Sequence, residues 1–293
     1  MKPNNTNKLQ KLEKHRAWAK KHRAERLAEF QAKCGERVKA KKSLGQNFLK
    51  DENVAENIVK STDISGKIIL EVGAGQGFLT KHILSQNPKK LIIVEKDSRM
   101  IPILQCLCKQ NSYENVEIIN GDALRFDIAE LSKKYCEKIT IIANLPYNIG
   151  TTLVVNWMEK LENINEIVVM LQKEVVDRIV AIPRTKDYGR VSVLCQSLCD
   201  CNKLFDVKPE CFEPKPKVMS SVVKIAPKQN LLPKEKYSLL DNICKIAFSQ
   251  RRKKLSNVFK NSNLFQLLPK EFYDKRAEEI GIKDYLDIIC SKI

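Results

Sequence analysis

Acidic and amide residues fall at the ends of four short apolar runs, and their spacing describes a binding pocket. Glu71-Val72-Gly73-Ala74-Gly75-Gln76-Gly77 closes the first run and opens a helical stretch. Its glycines let the backbone turn tightly and come close to a ligand. The spacing is G-x-G-x-G rather than the G-x-G-x-x-G of dinucleotide binders. Glu95 ends the second run, 22 positions after Gly73, where a carboxylate can accept from both hydroxyls of a ribose. Asp122 follows Gly121 at the end of the third run and can accept from an adenine amino group. Together the three suit an adenosine-containing ligand. Taken singly, Glu95 and Asp122 are also candidates for helix N-caps or exposed turn residues. The fourth run ends in Asn144-Leu145-Pro146-Tyr147. An amide, a proline-fixed backbone and an aromatic ring can capture a planar base that bears an exocyclic amine. The asparagine oxygen and a backbone carbonyl accept the amine hydrogens, and the ring stacks on the base. On spacing alone, a proline turn with a buried tyrosine accounts for these four residues equally well.

The elements that must position these residues read as alternating strands and helices. Strands are expected at Ile68–Val72, Leu91–Val94, Val116–Ile119, Ile139–Ala143 and Ile167–Leu171, all β-branched and nearly continuous in apolar character. Runs of that kind suit strands covered on both faces. Helices are expected at Phe78–Ser85, Ser98–Gln110, Ile128–Tyr135 and Thr151–Lys160. The alternation predicts an α/β fold with a parallel, Rossmann-like sheet. Two further strands, Lys203–Val207 and Ser220–Ile225, flank a loop containing Pro209, Pro214 and Pro216. Residues 227–233 read as a linker, and the chain from Lys234 onward reads as helical.

The 293 residues are 43% hydrophobic and 30% charged, enough for a packed core. Lys and Arg number 52 against 35 Asp and Glu, a net charge of +17 that favours a polyanionic partner, either nucleic acid or an anionic membrane. No apolar run approaches the roughly 18 residues of a spanning helix, so an integral membrane protein is excluded. Ten of the seventeen net positive charges lie in residues 1–42, with fourteen Lys/Arg against four Glu. A helix over Lys8–Ala40 is plausible there, serving either as a solvated surface or as an RNA-contacting arm. The segment has no apolar leader and is not acid-poor like a transit peptide, so the protein is expected to be cytoplasmic and its ten cysteines reduced. Cys195, Cys199 and Cys201 would pack rather than bind metal, with Cys195 and Cys199 on one helix face. No metal site is expected.

The motifs together resemble one family. Gly45-Gln46-Asn47-Phe48-Leu49, the Glu71–Gly77 loop, Val94-Glu95-Lys96-Asp97, Gly121-Asp122-Ala123 and Asn144-Leu145-Pro146-Tyr147 occur in its order. So do Leu171-Gln172-Lys173-Glu174-Val175, Tyr188-Gly189-Arg190, Pro214-Lys215-Pro216-Lys217-Val218 and Phe248-Ser249-Gln250-Arg251-Arg252-Lys253. This set resembles the small-subunit ribosomal RNA adenine dimethyltransferases over roughly residues 43–293. The resemblance implies a class I methyltransferase sheet at 43–227, a small helical rRNA-binding domain at 228–293, and S-adenosylmethionine as cofactor. It implies dimethylation of two adjacent adenosines near the 3′ end of small-subunit rRNA, within an assembling ribosomal subunit, by a monomer.

By position, Asn47, Leu49, Gly73, Glu95, Asp122 and Asn144 would border the cofactor. Asn144 with the Leu145 or Pro146 carbonyl would hold the target amine. Tyr147 would stack on one face of the base and Phe212 would cover the other. Arg251, Arg252, Lys253 and Lys254 would grip phosphates, as no acid lies between Lys245 and Lys260. The basic extension 1–42 departs from the family, and no pocket residue is expected before Gln46. Two other readings remain: a large-subunit rRNA adenine methyltransferase, and an assembly or transcription factor of mitochondrial type that binds nucleic acid without catalysis. A nicotinamide dehydrogenase is disfavoured by the glycine spacing.

Overall fold

A computed structural model describes residues 38–111 and 113–290. The expected helix over Lys8–Ala40 therefore lies almost wholly outside the described residues. The strands are β1 (Phe48–Leu49), β2 (Ile68–Val72), β3 (Lys90–Glu95), β4 (Val116–Asn120), β5 (Ile139–Asn144), β6 (Ile164–Gln172), β7 (Cys199–Val207), β8 (Phe212–Glu213) and β9 (Ser220–Pro227). The α-helices are α1 (Glu52–Lys60), α2 (Phe78–Leu84), α3 (Ile101–Gln110), α4 (Ile128–Tyr135), α5 (Gly150–Trp157), α6 (Lys173–Ile179), α7 (Arg190–Leu198), α8 (Lys234–Ala247), α9 (Leu255–Phe259) and α10 (Ile282–Cys290).

Seven strands form one sheet in the order β4-β3-β2-β5-β6-β9-β7. The five from β4 to β6 run parallel, and β9 runs antiparallel to both β6 and β7. From β2 the chain builds outward to β3 and β4, then returns to the other side of β2 for β5. The order thus reverses between β2 and β5, and open α/β sheets bind ligands at the carboxyl ends of strands at such a point. Alternate side chains divide the core. Ile68, Leu70 and Val72 pack on one face with Ile92, Val94, Ile139 and Ile141, while Ile69 packs on the other with Leu91, Ile93 and Ile142. The central strands β2, β3 and β5 are buried on both faces, which is why they read as nearly continuous apolar runs.

The first layer continues through α7 into the C-terminal helices, where Tyr237, Leu240, Ile243, Phe259 and Tyr285 join the same apolar cluster. Helices α1 and α6 are not announced by the apolar pattern, and α7 is expected only as the helix carrying Cys195. Helix α1 begins where the Asp51 side chain accepts from the Val54 N–H at 3.0 Å. Helix α7 stops at Leu198 because Cys199 already pairs with β9 opposite Pro227. Cys199 and Cys201 are therefore strand residues, and only Cys195 lies on the helix. Cys108, Cys136, Cys195, Cys199, Cys201, Cys211, Cys244 and Cys290 are free thiols, in keeping with the reduced state expected of them. Among the described residues no helix is long and apolar enough to cross a membrane.

Candidate active site

A cavity of about 910 Å³ opens at the carboxyl ends of β2, β3 and β5. Its first wall is the turn after β2. Gly73 adopts φ +70°, and a Cβ there would stand 3.4 Å from both Cδ and Cγ of Pro146. Gly75 adopts φ +55°, and a Cβ would meet the Phe48 ring at 2.9 Å. The turn therefore needs glycine for its left-handed backbone and for the close approach of its neighbours.

The second wall is β3. Glu95 is 4% exposed; one carboxylate oxygen accepts from the Gly75 N–H at 2.9 Å and the other from the Asp97 N–H at 2.8 Å. Burial raises its pKa, and these two N–H groups oppose the shift. Asp97, which the spacing argument left without a role, is a buried hub. Its carboxylate accepts from Gln46 Nε2 at 3.0 Å and from Arg99 Nε at 2.9 Å, tying the Gln-Asn-Phe-Leu segment to the end of β3. The Arg99 guanidinium is the main cause of its pKa falling to about 2. Asp122 combines two readings: it caps the turn after β4 by accepting from the Leu124 N–H at 3.1 Å, and it borders the cavity. Lys96 Nζ sits 2.8 Å from its second oxygen and is the first cause of its lowered pKa.

The third wall is the loop after β5. Asn144 donates from Nδ2 to the Asn47 carbonyl at 3.1 Å, which commits the amide NH₂ and leaves its oxygen as the acceptor. The Leu145 N–H donates to the Met170 carbonyl at 3.1 Å. The Tyr147 and Ser220 hydroxyls are 2.6 Å apart. Asn47, Leu49, Gly73, Glu95, Asp122, Asn144, Leu145, Pro146 and Tyr147 all line the one cavity.

Phe212 does not join them. It is 1% exposed within the apolar cluster that holds Leu49, and Glu213 and Pro214 carry its loop to the cavity instead. Its strand β8 pairs with β1, setting Leu49 opposite Phe212 and drawing that ring inward. The expectation that no pocket residue precedes Gln46 also fails. Val38, Lys39, Ala40, Lys42 and Leu44 line the cavity as well. This stretch is laced to the site by Gln76 Nε2 donating to the Val38 carbonyl at 3.0 Å and Arg99 Nη1 donating to the Lys39 carbonyl at 3.2 Å. Those bonds use backbone carbonyls, so side-chain spacing carried no signal for them.

The basic run after α8 is divided. Arg251 turns one guanidinium nitrogen to the Lys186 and Tyr188 carbonyls at 2.8 and 2.6 Å. Lys254 pairs with Asp274 at 2.8 Å, an acid remote in sequence, and Lys245 pairs with Asp241 at 2.7 Å. Arg252 and Lys253 are exposed.

A family model described as ribosomal RNA adenine dimethylase matches residues 37–289, beginning a little before the Gly45–Leu49 motif. The ribosomal RNA small subunit methyltransferase A of Neorickettsia sennetsu is 46% identical over 226 residues, 75% of this chain and 84% of its own length. That of Francisella tularensis subsp. novicida is 38% identical over 262 residues, 86% of this chain and 97% of its own. Among solved structures, a dimethyladenosine transferase from Plasmodium falciparum superposes with a TM-score of 0.70 at 28% identity, over 83% of this chain and 96% of that one. The 23S rRNA methyltransferase ErmE superposes at 0.60 with 20% identity, over 83% of this chain and 100% of that one, which is a likeness of fold.

Proposed function

The chain belongs to the ribosomal RNA adenine dimethylase family, and from that premise we propose that it dimethylates the exocyclic amines of two adjacent adenosines near the 3′ end of small-subunit rRNA. The observation that carries the reading is the placement of Asn144. Its amide is oriented by Asn47 at the rim of the same cavity that holds the glycine turn and Glu95. High identity to small-subunit enzymes favours this acceptor over the large subunit, where the likeness is one of fold.

The cavity fits S-adenosylmethionine. Each Glu95 oxygen takes one backbone N–H and keeps a lone pair for a ribose hydroxyl. Asp122 keeps lone pairs for an adenine amine, and the glycine turn bounds the cavity with backbone where a side chain would intrude. When bound, the cofactor supplies a methyl group on a positively charged sulfur leaving group.

The protein's own part is placement. The adenine amine is a poor nucleophile because its lone pair is delocalised into the ring. Asn144 Oδ1 and the Leu145 or Pro146 carbonyl accept its two hydrogens, which turns the lone pair toward the methyl donor and favours the developing positive charge. Alignment accounts for much of the remaining acceleration. The proton shed by the methylated amine passes to water, so no histidine or metal is needed. Tyr147 stacks on the base once it has left its helix, an extrusion costing a few kcal/mol. Residues 43–227, with the cavity-lining stretch from Val38 to Lys42 before them, carry this chemistry, and residues 228–293 grip rRNA through exposed cations such as Arg252 and Lys253. The setting is the cytoplasm, where small subunits assemble.

The test is Asn144→Ala assayed by single-turnover transfer to unmethylated small subunits at saturating cofactor, with mass spectrometry of the rRNA. Loss of a placed acceptor should raise the barrier by about 3–4 kcal/mol, roughly 10²–10³-fold in rate. A rate within threefold of wild type overturns the assignment, and labelling of large subunits instead overturns the acceptor.

A further inference from the structure

We infer that Ser220 is a positioning residue for methyl transfer: its hydroxyl fixes the Tyr147 ring in the plane the target base must meet. This rests on the stacking role proposed for Tyr147.

Strand β6 separates β5 from β9 in the sheet. Tyr147, in the loop after β5, reaches past the end of β6 to the first residue of β9, where its hydroxyl lies 2.6 Å from Ser220 Oγ. Ser220 is fully buried and sits opposite Gln172 of β6 and Val207 of β7, so its hydroxyl is carried on a strand paired on both sides. The rest of the loop is pinned near its root by the Leu145 N–H on the Met170 carbonyl and the Asn144 amide on Asn47. Those bonds fix the backbone and leave the two torsions of the tyrosine side chain free. The Ser220 hydroxyl is the contact that removes that freedom, because a ring held at its root and at its far tip cannot swing. A stacking surface set before the base arrives does not have to be ordered when it arrives, and that saving appears in the rate. The same strand end is braced on its outer side by Ser221 Oγ donating to Asp206 Oδ1 at 2.6 Å, with Lys203 2.7 Å from that carboxylate.

The experiment is a double-mutant cycle of Tyr147→Phe and Ser220→Ala, with Tyr147→Ala as reference and unmethylated small subunits as acceptor. Each single variant should lose about three- to tenfold in kcat/KM for the subunit, the reach of one net hydrogen bond. The cofactor Kd should stay unchanged. The double variant should lose no more than either single one, because both remove the same bond. Independent structural damage would instead make the losses add and would lower thermal stability in step. Additive losses, or wild-type rates in both single variants while Tyr147→Ala is severely impaired, overturn the Ser220 role and leave the stacking role standing. If Tyr147→Ala itself transfers within threefold of wild type, the stacking role falls and Ser220 with it. Should Ser220→Ala fail to fold, Tyr147→Phe alone decides, since it keeps the ring and deletes only the tie.

Discussion

Glu71 should set a large part of the pH dependence of stability, and Glu71→Gln should abolish it. The side chain is 1% exposed beneath the glycine turn, and the Thr80 hydroxyl donates to its Oε2 at 2.7 Å. Burial pushes its pKa from 4.5 to about 8; the Thr80 bond opposes this and the charge of Glu95 adds to it. Between these values the folded protein holds a proton that the unfolded chain has released, so stability falls as pH rises through the window. At about 1.4 kcal/mol per pH unit the loss is small at pH 5 and reaches about 4 kcal/mol by pH 7.5. Glutamine copies the neutral carboxyl in shape and still accepts from Thr80, so the variant should escape the loss. Urea denaturation of both proteins across pH 5 to 8 measures it directly. The two should agree within about 1 kcal/mol at pH 5, with the variant more stable by about 3–4 kcal/mol at pH 7.5. A gap that stays constant across that range refutes the claim that Glu71 is buried and neutral.

Three further outcomes follow from the same geometry. Glu95→Ala should weaken S-adenosylmethionine by about 1.5–3 kcal/mol, since the ribose loses a charged acceptor; calorimetry on a folded variant giving unchanged affinity would count against the ribose role. Arg251→Ala should lower thermal stability by freeing the Lys186 and Tyr188 carbonyls. The Arg252→Ala/Lys253→Ala pair should leave stability alone and flatten the log–log salt dependence of subunit binding by about two units. Equal effects from the two sets would erase the distinction between inward and outward cations. Removing residues 1–36, which precede the family match and carry most of the charge of the basic extension, should flatten that slope by about three to four units if four phosphate contacts come from the arm. Superimposable slopes would show that the arm makes none, and single-turnover chemistry at saturation should hardly change.

What the sequence determined by itself is what depends on neighbours along the chain. A strand buried on both faces must be largely apolar, so β2, β3, β5 and the second half of β6 were visible as runs; the half-buried edge strand β4 was visible through Val116, Ile118 and Ile119, and the alternation with helices implied parallel pairing. The residues at their carboxyl ends were visible too, because strand ends are local features: Gly73, Glu95, Asp122 and Asn144 could be read off as a set and do line one cavity. The short helix α6 was not visible, because its seven residues bury only Val175, Val176 and Ile179 and are too few to establish a 3.6-residue period; α7 buries six of its nine residues on several sides, which blurs that period. Tertiary structure alone decided whatever joins distant loops. Phe212 looked like a base-stacking ring beside a proline loop, yet pairing of β8 with β1 turns it into the core. Arg251 looked like one of four equivalent cations, yet two carbonyls from the loop before α7 claim it. The Asn144 amide finds its partner 97 residues away and the Tyr147 hydroxyl 73 residues away. Val38 and Lys39 are tied to the cavity by backbone carbonyls that every residue possesses. A side chain's identity limits which bonds it can make, but which partner it meets is settled by the crossing of strands far apart in the chain.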